Sequence, residues 1–175
     1  MSVRICAGKF GSRRISCPKG IRPTSDRVKE ALFSALGIDF SGLKVLDLFA
    51  GSGALGIEAI SRGAASCDFV DDSRSSVACI RKNLDSLGIS EMCRIMESDA
   101  GSFVKKCSQK FDLIFMDPPY NKGLASLIAP ELYGLIEQGG ILAIEHSPRE
   151  AIDIEVWKEK RYGDTMITFA KGGQE

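Results

Sequence analysis

No Cys-x-x-Cys pair occurs among the six cysteines of this 175-residue chain, and it has a single histidine, His146. Cys6, Cys17, Cys67, Cys79, Cys93 and Cys107 are scattered through apolar or helical stretches, so they read as buried free thiols, not as a disulfide framework or a zinc ligand set. One imidazole removes most metal sites and every nucleophile–histidine pair that needs a second ring. No metal is expected. Apolar runs are short as well: none approaches the ~18 residues of a membrane span. The first residues, Met1-Ser2-Val3-Arg4, meet charge before any long apolar stretch, unlike a secretory signal. A cytoplasmic protein with no membrane partner is expected. With 44% hydrophobic and 26% charged residues, the composition is that of one ordinary globular domain with no internal repeat or low-complexity tract.

The formal net charge is zero, yet residues 1–29 carry eight basic side chains (Arg4, Lys9, Arg13, Arg14, Lys19, Arg22, Arg27, Lys29) against one acid, Asp26. The remainder holds 15 basic and 22 acidic residues. A basic arm on an acidic body is an electrostatic footprint for a polyanion, because each lysine or arginine placed on a phosphate releases counterions. Arg4-Ile5-Cys6 and Arg14-Ile15-Ser16 around Gly11-Ser12 predict that the arm is an ordered hairpin. Residues 1–21 are therefore expected to form a nucleic-acid-contacting arm and residues 22–175 the main domain.

In the main domain, Thr24-Ser25 precedes apolar positions 28, 31, 32, 35 and 36, which predicts an N-capped amphipathic helix ending near Gly37. From Lys44 strands and helices alternate. Strands are expected at 45–49, 67–70, 93–96 and 111–116, with helices at 54–61, 73–87, 101–106 and 124–136, then a fifth strand at 141–145 after Gly139-Gly140. Trp157–Arg161 and Met166–Ala170 flank Tyr162-Gly163-Asp164-Thr165 and read as an antiparallel hairpin. The expected fold is α/β: a doubly wound, mostly parallel, seven-stranded Rossmann-like sheet with an antiparallel C-terminal hairpin and a short N-terminal hairpin and helix.

Asp47-Leu48-Phe49-Ala50-Gly51-Ser52-Gly53-Ala54-Leu55-Gly56 runs from a strand through a glycine turn into a helix. Its G-x-G-x-x-G spacing alone is shared with dinucleotide enzymes. Asp47 sharpens it: a carboxylate at the strand end repels a pyrophosphate but attracts the ammonium of an amino-acid moiety. That favours S-adenosylmethionine over NAD. Asp71, 20 residues past Gly51 at the end of the second strand, can accept from both ribose hydroxyls, with Asp72 as the adjacent competitor. Asp99 after the third strand can accept from an adenine amino group beside the Ala100 N–H. Each acid alone could be an ordinary loop residue or helix cap; three at successive strand ends point to one ligand.

The sharpest motif is Asp117-Pro118-Pro119-Tyr120, directly after the strand Asp112–Met116. Two prolines stiffen a loop that carries a carboxylate on one side and an aromatic face on the other. Asp117 and the Pro118 carbonyl can accept both hydrogens of a planar amino group, while Tyr120 stacks on its ring and aims it at a methyl sulfonium. A base inside a duplex cannot enter such a site, so the target must be flipped out or unpaired.

These two motifs resemble the class I S-adenosylmethionine-dependent amino-methyltransferases. More narrowly, with Arg22-Pro23-Thr24-Ser25-Asp26-Arg27-Val28-Lys29-Glu30 and Lys160-Arg161-Tyr162-Gly163-Asp164-Thr165, the chain resembles the RsmD family of small-subunit (16S) rRNA guanine-N2 methyltransferases. The resemblance implies cofactor contacts from Asp47, Phe49, Ala50, Gly51, Ser52, Gly53, Asp71, Asp99 and Ala100, and catalysis at Asp117, Pro118, Pro119 and Tyr120. It places Arg22, Thr24 and Arg27 near the cofactor or the RNA, beside Arg4, Lys9, Arg13 and Arg14 of the arm. The implied partner is 16S rRNA or the small ribosomal subunit, met by a monomer. Where the family often has Glu at the end of the second strand, this chain has Asp71-Asp72. His146 needs no general-base role, since water can take the proton of an aromatic amine attacking a sulfonium; a surface or capping role is expected. The rival readings are a DNA adenine methyltransferase, for which no recognition insertion is present, a protein glutamine methylase, which would carry Asn at 117, and an RNA-binding protein with a relic pocket.

Overall fold

The computed structural model describes residues 1–21, 24–120 and 122–173. Strands β1 (Ser2–Arg4) and β2 (Arg14–Ser16) pair antiparallel. Helix α1 (Asp26–Leu36) follows, capped by the Ser25 side chain, which accepts from the Val28 N–H, and closed by Gly37 in the left-handed conformation. Then come β3 (Lys44–Leu48), α2 (Ala54–Ser61), β4 (Ser66–Asp71), α3 (Arg74–Leu87), β5 (Cys93–Glu97), α4 (Ala100–Lys106) and β6 (Phe111–Met116). Helix α5 (Leu124–Tyr133), β7 (Ile136–His146), β8 (Lys158–Tyr162) and β9 (Thr165–Lys171) complete the chain. The large sheet has the order β5-β4-β3-β6-β7-β9-β8, parallel through β7 and antiparallel at β9 and β8.

Strand alternation sends side chains to two cores, one on each face. Val45, Phe69, Leu113, Phe115 and Phe169 pack with α1, α2 and α3. Leu46, Leu48, Ile114, Met116, Leu142 and Ile144 pack with α4 and α5. Central strands buried on both faces read as continuous apolar runs, which is why β6 was so plain in the sequence. Gly56 sets the spacing of α2 on the sheet: a Cβ there would collide with Phe69 and Cys67.

The fifth parallel strand departs from its expected bounds. The helix before it stops at Tyr133, and β7 already begins at Ile136, passing through Gly139-Gly140. Leu135 and Ile136 continue the apolar spacing of α5, but the Leu135 carbonyl accepts from the Phe111 N–H at 2.9 Å, which draws this segment into the sheet. A register irregularity between Phe111 and Leu113 absorbs the extra residues. Gly140 permits it, since a Cβ there would press on the Asp112 carbonyl.

The N-terminal hairpin is part of the first core: Val3, Ile5, Phe10, Ile15 and Cys17 are all buried in it. Polar contacts fasten it to α2. Glu58, fully buried, accepts from the Cys6 and Ala7 N–H groups and pairs with Lys29 and Arg62. Ser61 bonds Phe10 N and Ala7 O, and Gly8 lies so close to the Ser61 carbonyl that no Cβ would fit. Asn83 of α3 reaches both ways, accepting from Ser16 N and donating to the carbonyls of Ser16 and Ser52.

Candidate active site

The parallel strands end together along one edge of the sheet, where open α/β folds hold ligands. At the end of β3, Phe49, Gly51 and Gly53 all take left-handed backbone conformations, with φ of 62°, 57° and 77°. A phenylalanine there is strained, while glycine is not. The turn is braced by acids: Asp47 accepts from Gly56 N at 2.9 Å, and Asp71 accepts from Gly51 N at 2.8 Å and from Ser73 N at 3.0 Å. Burial pushes the Asp47 carboxyl up to about 8, its bond from Gly56 pulling the other way and the charge of Asp71 adding to the rise.

Beside the turn lies a cleft lined by Phe49, Val70, Asp71, Asp72, Ser98, Asp99, Ala100, Gly101, Leu124 and Ile128. Asp99 is the N-cap of α4; the Ser102 hydrogen bonds hold its carboxyl below the usual range. Asp71 and Asp72 both border the cleft, but they differ in engagement: both Asp71 oxygens are bonded to backbone N–H groups, and Asp72 is exposed.

The Asp117–Tyr120 loop leaves β6 at the same edge. Asp117 accepts from the Thr24 hydroxyl at 2.9 Å, a contact that brings the N-terminal side of α1 onto the loop. Pro118 is buried and Pro119 exposed. The Tyr120 hydroxyl donates to Glu145 at 3.0 Å and lies 2.9 Å from the Thr165 hydroxyl, tying the loop to the end of β7 and the tip of the β8–β9 hairpin. Burial, then the neighbouring Glu145 charge, drives the Asp117 carboxyl well above the carboxylate range, against the pull of the Thr24 bond. Burial raises Glu145 too.

Glu145 and Thr165 were not picked out as site residues. The available signal was an acid at the end of a fifth strand, the same logic that selected Asp71 and Asp99. His146 is not at the surface: it is buried, with its ring nitrogens 2.9 Å from the Ser147 carbonyl and 2.8 Å from the Thr168 hydroxyl.

Of the basic candidates, Arg4 is ion-paired to Asp26 and Glu30. Lys29, only 1% exposed, pairs with Glu58 and donates to the Arg4 carbonyl. Lys9, Arg13, Arg14 and Arg27 are exposed; Arg13 caps the Ser86 carbonyl and Arg14 bonds Ser2. Arg22 lies outside the described residues. Among the described residues there is no cluster of three or more His, Cys, Asp or Glu side chains able to hold a metal, and no helix is long and apolar enough to cross a membrane.

Sheet order, glycine turn and proline loop together define the fold of a class I methyltransferase. The family described as Conserved hypothetical protein 95 matches residues 3–171. The chain belongs to it, that is, to the RsmD family of methyltransferases. Ribosomal RNA small subunit methyltransferase D of Escherichia coli is 38% identical over 82% of this chain and 71% of its own length. The structure of the Thermus thermophilus hypothetical protein TTHA0928 superposes with a TM-score of 0.84 at 30% identity, covering 97% of this chain and 99% of that one. A likeness of fold alone, at 20% identity and a TM-score of 0.74, extends to the T. thermophilus 16S rRNA N2 G1207 methyltransferase RsmC, solved with AdoMet and guanosine, over 99% of this chain and 50% of that one.

Proposed function

We propose that the chain transfers a methyl group from S-adenosylmethionine to the exocyclic N2 of a guanine in small-subunit (16S) rRNA, acting in the cytoplasm as a monomer. The observation that carries this reading is the Asp117-Pro118-Pro119-Tyr120 loop, set at the same sheet edge as the Asp47 glycine turn, with Asp117 desolvated and aimed among polar partners. A relative 38% identical bears the name of a small-subunit rRNA methyltransferase, which supports the choice of RNA.

The residues fit the cofactor. Asp47, Asp117 and Glu145 are three desolvated carboxyls in electrostatic contact, and a cationic ligand relieves that arrangement. When bound, S-adenosylmethionine supplies an electrophilic methyl on its sulfonium and leaves as S-adenosylhomocysteine. Asp47 and the turn Phe49-Ala50-Gly51-Ser52-Gly53 would hold its amino-acid end, Asp71 its ribose, and Asp99 with Ala100 its adenine. Asp117 and the Pro118 carbonyl accept the two hydrogens of the target amino group, Pro119 stiffens the loop, and Tyr120 offers its ring to the base. Thr24 positions Asp117. Lys9, Arg13, Arg14 and Arg27 meet phosphates, which place the RNA without naming a base.

The test is incubation with methyl-labelled S-adenosylmethionine and small ribosomal subunits lacking base methylation, followed by nuclease digestion and mass spectrometry. Label on one guanine N2 is the expected result. Label on adenine or on ribosomal protein would overturn the substrate, and cofactor binding without transfer to these subunits, or to duplex DNA in a parallel incubation, would favour the RNA-binding relic.

A further inference from the structure

Glu145 stands at the carboxyl end of β7, beside the catalytic loop, and is 7% exposed. One carboxylate oxygen, Oε1, accepts the Tyr120 hydroxyl at 3.0 Å. The other, Oε2, is buried and has no hydrogen-bond partner among the described residues. A buried carboxylate oxygen without a donor costs free energy, and native proteins leave few such atoms unless a ligand meets them. Its neighbour is Asp117, whose carboxyl feels the Glu145 charge directly. Two acceptors therefore stand side by side, Asp117 held by the Thr24 hydroxyl and Glu145 Oε1 by the Tyr120 hydroxyl, with Thr24 also close enough to Glu145 to draw its carboxyl down. Tyr120 is itself anchored to Thr165 across 45 residues of chain, so the orientation of Glu145 is set by β6, β7 and β9 together.

The chemistry of a pair of carboxyls is to receive adjacent donors. Guanine presents N1–H beside its N2 amino group, a row of donors along one edge. Adenine presents its amino group beside N1, which is a lone pair, as does 2-aminopurine. A carboxylate oxygen opposite N1 is bonded in the first case and faces a lone pair in the second. Resting on the guanine reading above, we infer that Glu145 is the specificity-determining residue for the target base, its Oε2 accepting N1–H of guanine while Asp117 holds the N2 amino group.

This division of labour assigns Tyr120 two tasks. Its ring stacks on the base, and its hydroxyl fixes the carboxylate that reads the edge. The raised carboxyls of both acids agree with the arrangement: a pocket lacking its donors favours protons on the acids, and the donors of guanine restore the charged form.

The experiment uses the full chain, labelled S-adenosylmethionine and small subunits reconstituted on rRNA that carries either guanine or 2-aminopurine at the position mapped above. Both bases own the amino group that is methylated; they differ at N1, an N–H in guanine and a lone pair in 2-aminopurine, and at C6, where guanine alone has a carbonyl, so the change in the ratio on E145Q is what isolates N1. The wild type is expected to favour guanine by at least ~10³-fold in kcat/KM, since a site built to bond a donor rejects the analogue that lacks it. In E145Q the guanine rate should fall ~10²-fold, and the 2-aminopurine rate should rise, because the glutamine amide can donate to N1. Cofactor affinity should stay within ~3-fold, as Glu145 is assigned no cofactor contact. An E145Q ratio equal to that of the wild type, or an equal loss on both bases, would overturn the assignment and leave Glu145 a structural residue. So would a wild type that methylates the two bases at similar rates, an outcome readable even if the variant does not fold, whereas a wild-type preference supports the assignment only together with the E145Q shift. Failure of the guanine reading is separate: the wild type would then put no label on guanine at all.

Discussion

On the side of the site proposed for the cofactor, Asp47 and Asp71 accept from backbone N–H groups of Gly56, Gly51 and Ser73; on the side proposed for the target base, Asp117 and Glu145 accept from the hydroxyls of Thr24 and Tyr120. Backbone donors are fixed by the fold and cannot rotate away. Hydroxyl donors can, at the cost of one hydrogen bond of about 1 kcal/mol. The proposed cofactor side is thus a rigid mould, and the proposed target side is a set of acceptors that could exchange an internal partner for the N–H of a base. Such exchange suits a nucleobase that arrives from outside and must leave methylated.

The contrast can be broken most sharply at Asp117. Asp117→Ala should lower methyl transfer ~10³-fold, the scale of losing a preorganised polar group at the reacting centre. Cofactor affinity measured by calorimetry should barely move; loss of both would make the loop a structural element of the whole edge. Asp47→Asn should do the opposite, weakening cofactor binding ~10–100-fold by removing the carboxyl that an ammonium would draw into its charged form.

Asp47 also supplies a pH signature. Its carboxyl rises from 3.8 when free to about 8 in the fold. The native state therefore holds a proton that the unfolded chain gives up. The stability it contributes is complete below about pH 4 and is lost as pH rises through about 8, at up to about 1.4 kcal/mol per pH unit. Thermal melts of the cofactor-free protein from pH 4 to 9 should show that slope in the wild type and a flatter one in Asp47→Asn; identical slopes would mean that Asp47 is already charged.

Two smaller effects sharpen the comparison on the target side. Tyr120→Phe keeps the ring and removes the hydroxyl from Glu145 and Thr165, so kcat should fall ~10-fold, with the loss concentrated on guanine if the hydroxyl positions Glu145. The double substitution Lys9→Ala with Arg14→Ala should weaken RNA binding several-fold and reduce the salt slope by about 2. A filter-binding series against salt would show it, and an unchanged slope would remove the hairpin from the RNA interface. Deleting residues 1–21 is a poorer test, because Val3, Ile5, Phe10 and Ile15 belong to the core.

What could be read in advance follows the same line between local and distant. Asp47 meets Gly56 nine residues on, and Asp71 meets Gly51 at a separation of 20 within one β-α-β unit; periodicity and glycine spacing sufficed to find them. Thr24-Ser25 and Gly37 marked the ends of α1 through the chemistry of capping. Thr24 and Asp117 are 93 residues apart, and Tyr120 and Thr165 are 45 apart. No local pattern announces such pairs, so Asp117 was visible through its prolines while Glu145 passed as an ordinary strand residue. Lys29 failed in the same way. It counts as one more positive charge in the sequence, but Glu58, on another helix, has taken it out of solvent.

The fastening of the hairpin to α2 bears on how the molecule opens. Chain termini ordinarily fray first, and their amide hydrogens exchange fastest. Here Gly8 is wedged on the Ser61 carbonyl, Glu58 holds two hairpin amides, and Asn83 links Ser16 to the carbonyl of Ser52 in the glycine turn. Peeling the hairpin away exposes Glu58 and frees the turn, so the first residues of the chain and the cofactor loop should unfold as one cooperative unit, with the amides of Cys6, Ala7 and Ser16 exchanging on the timescale of the core.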